Sequence, residues 1–154
     1  VDLPFAFQWL GQSDYAQVTV TTNGVIWIGR FNNTGCCGAY QVELGGVYRG
    51  ERRIAVAQGD LDPSIAGSIY VATVDGAFVV SWEGLPHKES TDVNGLNFQA
   101  ILFSHGRVEL RWGEGNPPAD QRIVSGIEDD AADIVVPATG WPFENGGVSS
   151  FGTS

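Results

Sequence analysis

Three times in this chain an alternating, β-branched run meets a tight-turn signal and gives way to a second alternating run. Ala16-Gln17-Val18-Thr19-Val20-Thr21-Thr22 leads through Asn23-Gly24 into Val25-Ile26-Trp27-Ile28-Gly29. Ser68–Val74 leads through Asp75-Gly76 into Ala77–Trp82, and Leu96–Phe103 leads through Ser104-His105-Gly106 into Arg107–Trp112. Asn-Gly and Asp-Gly between such runs are strong hairpin signals, because a two-residue turn matched to strand twist needs positive φ at both positions. In Arg107–Trp112, Val108, Leu110 and Trp112 alternate with Arg107, Glu109 and Arg111. That strand should have one packed face and one wet face. Further short strands are predicted over 53–57, 122–127 and 134–136, and no window fits a capped amphipathic helix. The pattern predicts an all-β fold, a two-layer antiparallel β-sandwich (jelly-roll-like) of about 8–10 strands with essentially no helix.

The length of 154 residues suits one such domain. We expect the sandwich over 1–140, with a terminal strand and a Gly/Ser-rich tail over 141–154. Loops over 30–52 and 84–95 are the segments available for contact. Eight basic against 18 acidic residues give a net charge of −10. Such a surface is a poor partner for nucleic-acid phosphates or an anionic membrane. No stretch approaches the ~18 apolar residues of a membrane helix. The chain has no Met and begins Val1-Asp2-Leu3, as expected of a processed product or an excised piece.

The order of segments carries a resemblance. Leu3-Pro4-Phe5-Ala6-Phe7 comes first, then Tyr15–Gly29, then Ile54-Ala55 with Asp60-Leu61-Asp62-Pro63-Ser64 and Gly67-Ser68-Ile69-Tyr70. Phe78-Val79-Val80-Ser81-Trp82, His87, Asn97–Leu102 and Gly126-Ile127-Glu128 complete the series. Across roughly residues 3–130 the chain resembles the NIDO-like (nidogen extracellular domain-like) β-sandwich modules of secreted multidomain proteins. The resemblance implies a secreted, non-catalytic module used in adhesion or matrix assembly. It brings no catalytic residues. One departure is Val56-Ala57-Gln58-Gly59, where the family pattern carries large aromatics before the Asp-Leu-Asp.

Asp60 and Asp62 are alternate residues of an extended segment, so both carboxylates can face one ion, and hard oxygen donors suit Ca²⁺. The competing reading is a turn begun by Asp62-Pro63, with Asp60 capping backbone amides. Glu128, Asp129, Asp130 and Asp133 form a second acidic cluster. Cys36-Cys37 are the two cysteines of the chain. Adjacent Cα atoms lie ~3.8 Å apart, closer than a relaxed disulfide requires, so a bond between them would be a strained vicinal ring. Bridges to other chains and free thiols remain open. Asn32-Asn33-Thr34 is an N-glycosylation acceptor at Asn32.

Trp27, Trp82 and Trp112 lie inside strand patterns and are expected in the core. Trp9 and Trp141 lie in looser segments and are the candidates for stacking on sugars. His87 and His105 fall in hairpin-like loops and are expected to be solvated. No Gly-x-Ser-x-Gly elbow accompanies them, and no zinc-ligand spacing is present. The expectation is therefore a non-enzymatic extracellular structural or adhesion module with no obligatory cofactor, Ca²⁺ at Asp60 and Asp62 aside. Its partners would be other extracellular proteins, copies of itself or glycans. One alternative is a repeating filament subunit, joined by strand addition of Leu3–Phe7 or by Cys36 and Cys37. A lectin-like module is the other.

Overall fold

The computed structural model describes residues 1–11, 13–30, 44, 52–89, 95–113, 123–129, 135–137 and 147–151; of residues 13, 135–137 and 147–151 the backbone alone is described. Its strands are β1 (Asp2–Trp9), β2 (Ser13–Val20), β3 (Val25–Ile28), β4 (Arg53–Gln58), β5 (Ser68–Val74), β6 (Ala77–Leu85), β7 (Leu96–Leu102), β8 (Val108–Trp112), β9 (Val124–Glu128), β10 (Val135–Pro137) and β11 (Gly147–Phe151). The eleven strands among the described residues exceed the expected number, chiefly because the apolar amino-terminal segment is itself β1.

The strands form two antiparallel sheets, so the all-β sandwich is the fold. The order is β1-β2-β3-β4-β9-β10 in one sheet and β11-β8-β7-β6-β5 in the other. Each sheet is built round a four-strand meander, β1 to β4 and β5 to β8. The chain then returns to the first sheet for β9 and β10, and β11 closes onto β8. Leu3–Phe7 thus lies within the chain's own sheet, β1 being paired with β2.

The turns explain the hairpins in detail. Asp75 and Gly76 have φ of 49° and 78°, the two positive values that a two-residue connection requires. At the first hairpin Gly24 has φ of 71° while Asn23 stays out of the left-handed region. Thr21 closes that connection instead, donating its N–H to the Val25 carbonyl at 2.9 Å. The Asn23 Oδ1 accepts the Leu61 N–H at 3.2 Å.

Alternation sorts the side chains. Val18, Ile26, Ile54, Val56 and Ile127 of the first sheet meet Phe78, Val80, Trp82, Phe98, Ala100, Leu110 and Trp112 of the second in one buried core. Two indoles tie the layers together. The Trp112 Nε1–H donates to the Val56 carbonyl at 2.7 Å, and the Trp82 Nε1–H to the Thr21 carbonyl at 2.9 Å. Trp82 also stacks on Phe98, with centroids 5.0 Å apart. Trp82 and Trp112 are core residues as expected. Trp27 is equally buried, yet it sits in register with Arg53 on the opposite face of its sheet.

Candidate functional site

The Asp60–Asp62 segment leaves β4 and runs beside the segment that follows β6. Leu61 and His87 form an isolated antiparallel bridge. The Asp62 N–H donates to the Pro86 carbonyl at 3.0 Å, and the Lys88 N–H to the Asp60 carbonyl at 2.7 Å. Leu61 is buried in the core and the flanking aspartates are partly exposed, so the two carboxylates share the side away from Leu61.

What Asp62 does there is turn formation. Its Oδ1 accepts the Ser64 N–H at 2.9 Å and the Ser64 hydroxyl at 2.6 Å. The Asp62 carbonyl accepts the Ile65 N–H at 3.2 Å. The two Ser64 bonds hold the Asp62 carboxyl below its ordinary value, with a smaller contribution from the Lys88 charge and a small opposing effect of burial. Among the described residues no group of three or more His, Cys, Asp and Glu is arranged to hold a metal ion.

The second acidic cluster divides between partners. Glu128 lies in register with Arg53 across β4 and β9, and its Oε2 accepts from Arg53 Nη2 at 2.6 Å and from Nε at 2.9 Å. Arg53 also donates to Gln58 Oε1 at 3.0 Å and lies over the Trp27 ring. Asp129 points the other way. Its Oδ1 accepts from Trp9 Nε1 at 3.0 Å and from Arg52 Nε at 3.1 Å. Glu128 and Asp129 therefore serve two different arginines. Asp130 and Asp133 lie outside the described residues.

Three expectations are corrected by the burial of Trp9, His87 and Glu109. Trp9 is 1 % exposed, so no ring face is open to a sugar; it packs with Phe7 and anchors its indole N–H on Asp129. His87 is not solvated but 7 % exposed, and its Nδ1 accepts the Glu89 N–H at 3.2 Å. His105 is exposed, as expected of a loop histidine. On β8, Glu109 is buried rather than wet, because Arg107 and Arg111 close over it from either side. The Asn32 acceptor, Cys36, Cys37, Trp141, most of the 30–52 loop and residues 90–94 of the 84–95 loop fall outside the described residues.

The surface feature that sequence reasoning missed is β5. It is an edge strand, and from Tyr70 to Val74 every residue is exposed. Tyr70 is 55 % exposed, Val71 47 % and Val74 52 %. Its sequence, Ser-Ile-Tyr-Val-Ala-Thr-Val, contains no charge. The alternation that marks it as a strand is the same in an edge strand and a covered one. The signal that could have found it is the absence of any polar face.

A family model described as NIDO related matches residues 1–140. No curated protein and no solved structure matches the chain significantly.

Proposed function

Because the chain belongs to the NIDO-related family, we propose that it works outside the cell as a non-catalytic structural or adhesion module. The observation that carries this reading is the family match over 1–140, which spans nearly the whole sandwich. The surface supports it. A net charge of −10 keeps the module dispersed, while the uncharged β5 offers one place where another protein can approach. No helix among the described residues is long and apolar enough to cross a membrane.

The test is location first and adhesion second. Antibody against the chain should detect it in the medium or on intact native cells, where added protease removes it. Beads carrying the chain should then be retained on those cells better than beads carrying albumin. Protection from protease until lysis would refute the extracellular reading, and equal bead retention the adhesive one.

A second reading, a repeating subunit of an extracellular assembly, is favoured by the free edge of β5. Light scattering of native material with and without reductant separates the two, since polymers that dissolve on reduction would assign the linkage to Cys36 and Cys37. The lectin-like reading no longer has Trp9 to draw on.

A further inference from the structure

Of the edge strands in the two sheets, β5 is the longest that carries neither a proline nor a register shift. At the edges of the first sheet, β1 contains Pro4 and slips in register between Asp2 and Phe7, and β10 is three residues ending in Pro137. Proline, irregularity, shortness and charge are the devices that keep sheet edges from pairing with other chains. At seven residues, β5 has none of them.

The hairpin turn fixes which backbone groups of β5 point outward. Val74 and Ala77 flank the two-residue Asp75-Gly76 turn, so they form a hydrogen-bonded pair. The register runs unbroken from Val74↔Ala77 to Ser68↔Glu83. Hydrogen-bonded pairs therefore recur at Ala72, Tyr70 and Ser68. Ile69, Val71 and Thr73 turn their N–H and C=O groups to the free edge. Among the described residues no bond from another segment reaches them.

We propose that this edge pairs with the β5 edge of a second copy of the chain, antiparallel across a twofold axis at Val71, joining two five-stranded sheets into one. The twofold dictates the partners. Val71 faces Val71 of the second copy, Ile69 faces Thr73 and, by symmetry, Thr73 faces Ile69, and these three pairs exchange about six backbone hydrogen bonds. On the outer face Tyr70 falls opposite Ala72 and Ser68 opposite Val74, so each larger side chain meets a smaller one. Two molecules that each carry −10 repel overall, so a second copy can approach only where charge is absent, and a β5–β5 contact juxtaposes strands with no side chain charged at neutral pH. A basic partner would find nothing on this strand to pair with. The contact is isologous, so it closes as a dimer and builds no filament by itself. A seven-residue strand pair is at the small end of specific interfaces, below ~1,200 Å² in total, so monomer and dimer should exchange.

The experiment is sedimentation velocity on the full chain from about 10 to about 500 µM, with reductant present so that Cys36 and Cys37 cannot carry the association. A concentration-dependent dimer is expected, strengthened by salt because the repulsion is screened. Val71→Lys, which sets two like charges face to face, should weaken it by tenfold or more, while Val71→Thr should change it little. If near-ultraviolet circular dichroism shows that Val71→Lys does not fold, the Val71→Cys variant takes its place. Mild oxidation should then yield a Cys–Cys linked peptide joining position 71 of two copies. A wild-type monomer at every concentration overturns the proposal. So does a dimer that Val71→Lys leaves intact, or one that gives no such linked peptide.

Discussion

Arg53 and Glu128 form a salt bridge in which both side chains are completely buried, on the face of the six-stranded sheet turned away from the inter-sheet core. Ion pairs are rarely placed where neither partner keeps water, because desolvating two charges costs several kcal/mol per ion. This pair is held by geometry. Neighbouring strands put the two residues opposite each other, and Gln58 and the Trp27 ring complete the guanidinium's surroundings.

Removing one partner is therefore expected to be far worse than removing both. Arg53→Met leaves a buried carboxylate without its counter-charge and should lower stability by about 3–5 kcal/mol. The double variant Arg53→Met with Glu128→Leu should recover much of that loss. Urea unfolding of the two variants checks it, and a double variant as unstable as the single one would contradict the argument.

That pair also shows where sequence reading reaches its limit. Val25-Ile26-Trp27-Ile28 announces a strand by its β-branching, and the hairpins, the two layers and the absence of helix all follow from period-two patterns. Whether the second face of that strand is wet depends on what packs over it, which period two does not encode. Trp27 and Arg53 are buried on that face for this reason, and Glu109 is buried on β8 by the arginines beside it. Trp9 looks loose in the sequence because turn-like residues, Gly11 to Asp14, follow it, and they hide its pairing with Ser13 across β1 and β2. Asp62 was legible as a turn former from Asp-Pro-Ser, since an aspartate accepting the N–H two residues on is a local device.

Two glycines with similar backbone angles should respond differently to alanine. Gly24 has φ of 71°, and a Cβ there would collide with the Ala57 backbone carbonyl. Its own carbonyl accepts the Val56 N–H at 2.9 Å, so neither chain can move aside without breaking the junction of the hairpin with β4. Gly76 has φ of 78° and nothing within 4 Å of the added atom. Gly76→Ala should lose about 1–2 kcal/mol from the left-handed conformation alone. Gly24→Ala carries the same penalty plus the collision, and should lose at least about 3 kcal/mol. Thermal unfolding of both in parallel decides, and equal losses would mean that the close approach to Ala57 is absent in solution.

Trp9 offers a way to separate packing from its hydrogen bond. Trp9→Ala empties a fully buried indole site and should cost about 3–5 kcal/mol. Trp9→Phe keeps an aromatic ring but takes one of two donors from Asp129 Oδ1, which still accepts from Arg52, and the lost bond to a charged group should cost about 1–3 kcal/mol. Chemical unfolding of the two variants gives both numbers. A Trp9→Ala protein as stable as wild type would return Trp9 to the surface.

The Asp62–Ser64 turn predicts a pH dependence of definite sign. The Ser64 hydroxyl and N–H bind the charged carboxylate, so the folded chain holds the proton of Asp62 more weakly than the ordinary value of 3.8. A depressed folded value means that the turn stabilises the protein fully above 3.8 and loses that contribution as pH falls through the lower folded value. Ser64→Ala removes the bond that lowers it most and keeps the backbone one. Its Asp62 should titrate nearer 3.8 than in wild type, and its stability deficit at neutral pH should shrink in acid. Asp62→Asn carries no charge and should remove this part of the pH dependence altogether. The direct measurement is the carboxyl-carbon NMR titration of Asp62 in wild type and in Ser64→Ala. A wild-type midpoint at or above 3.8 would show that the Ser64 bonds do not form in solution.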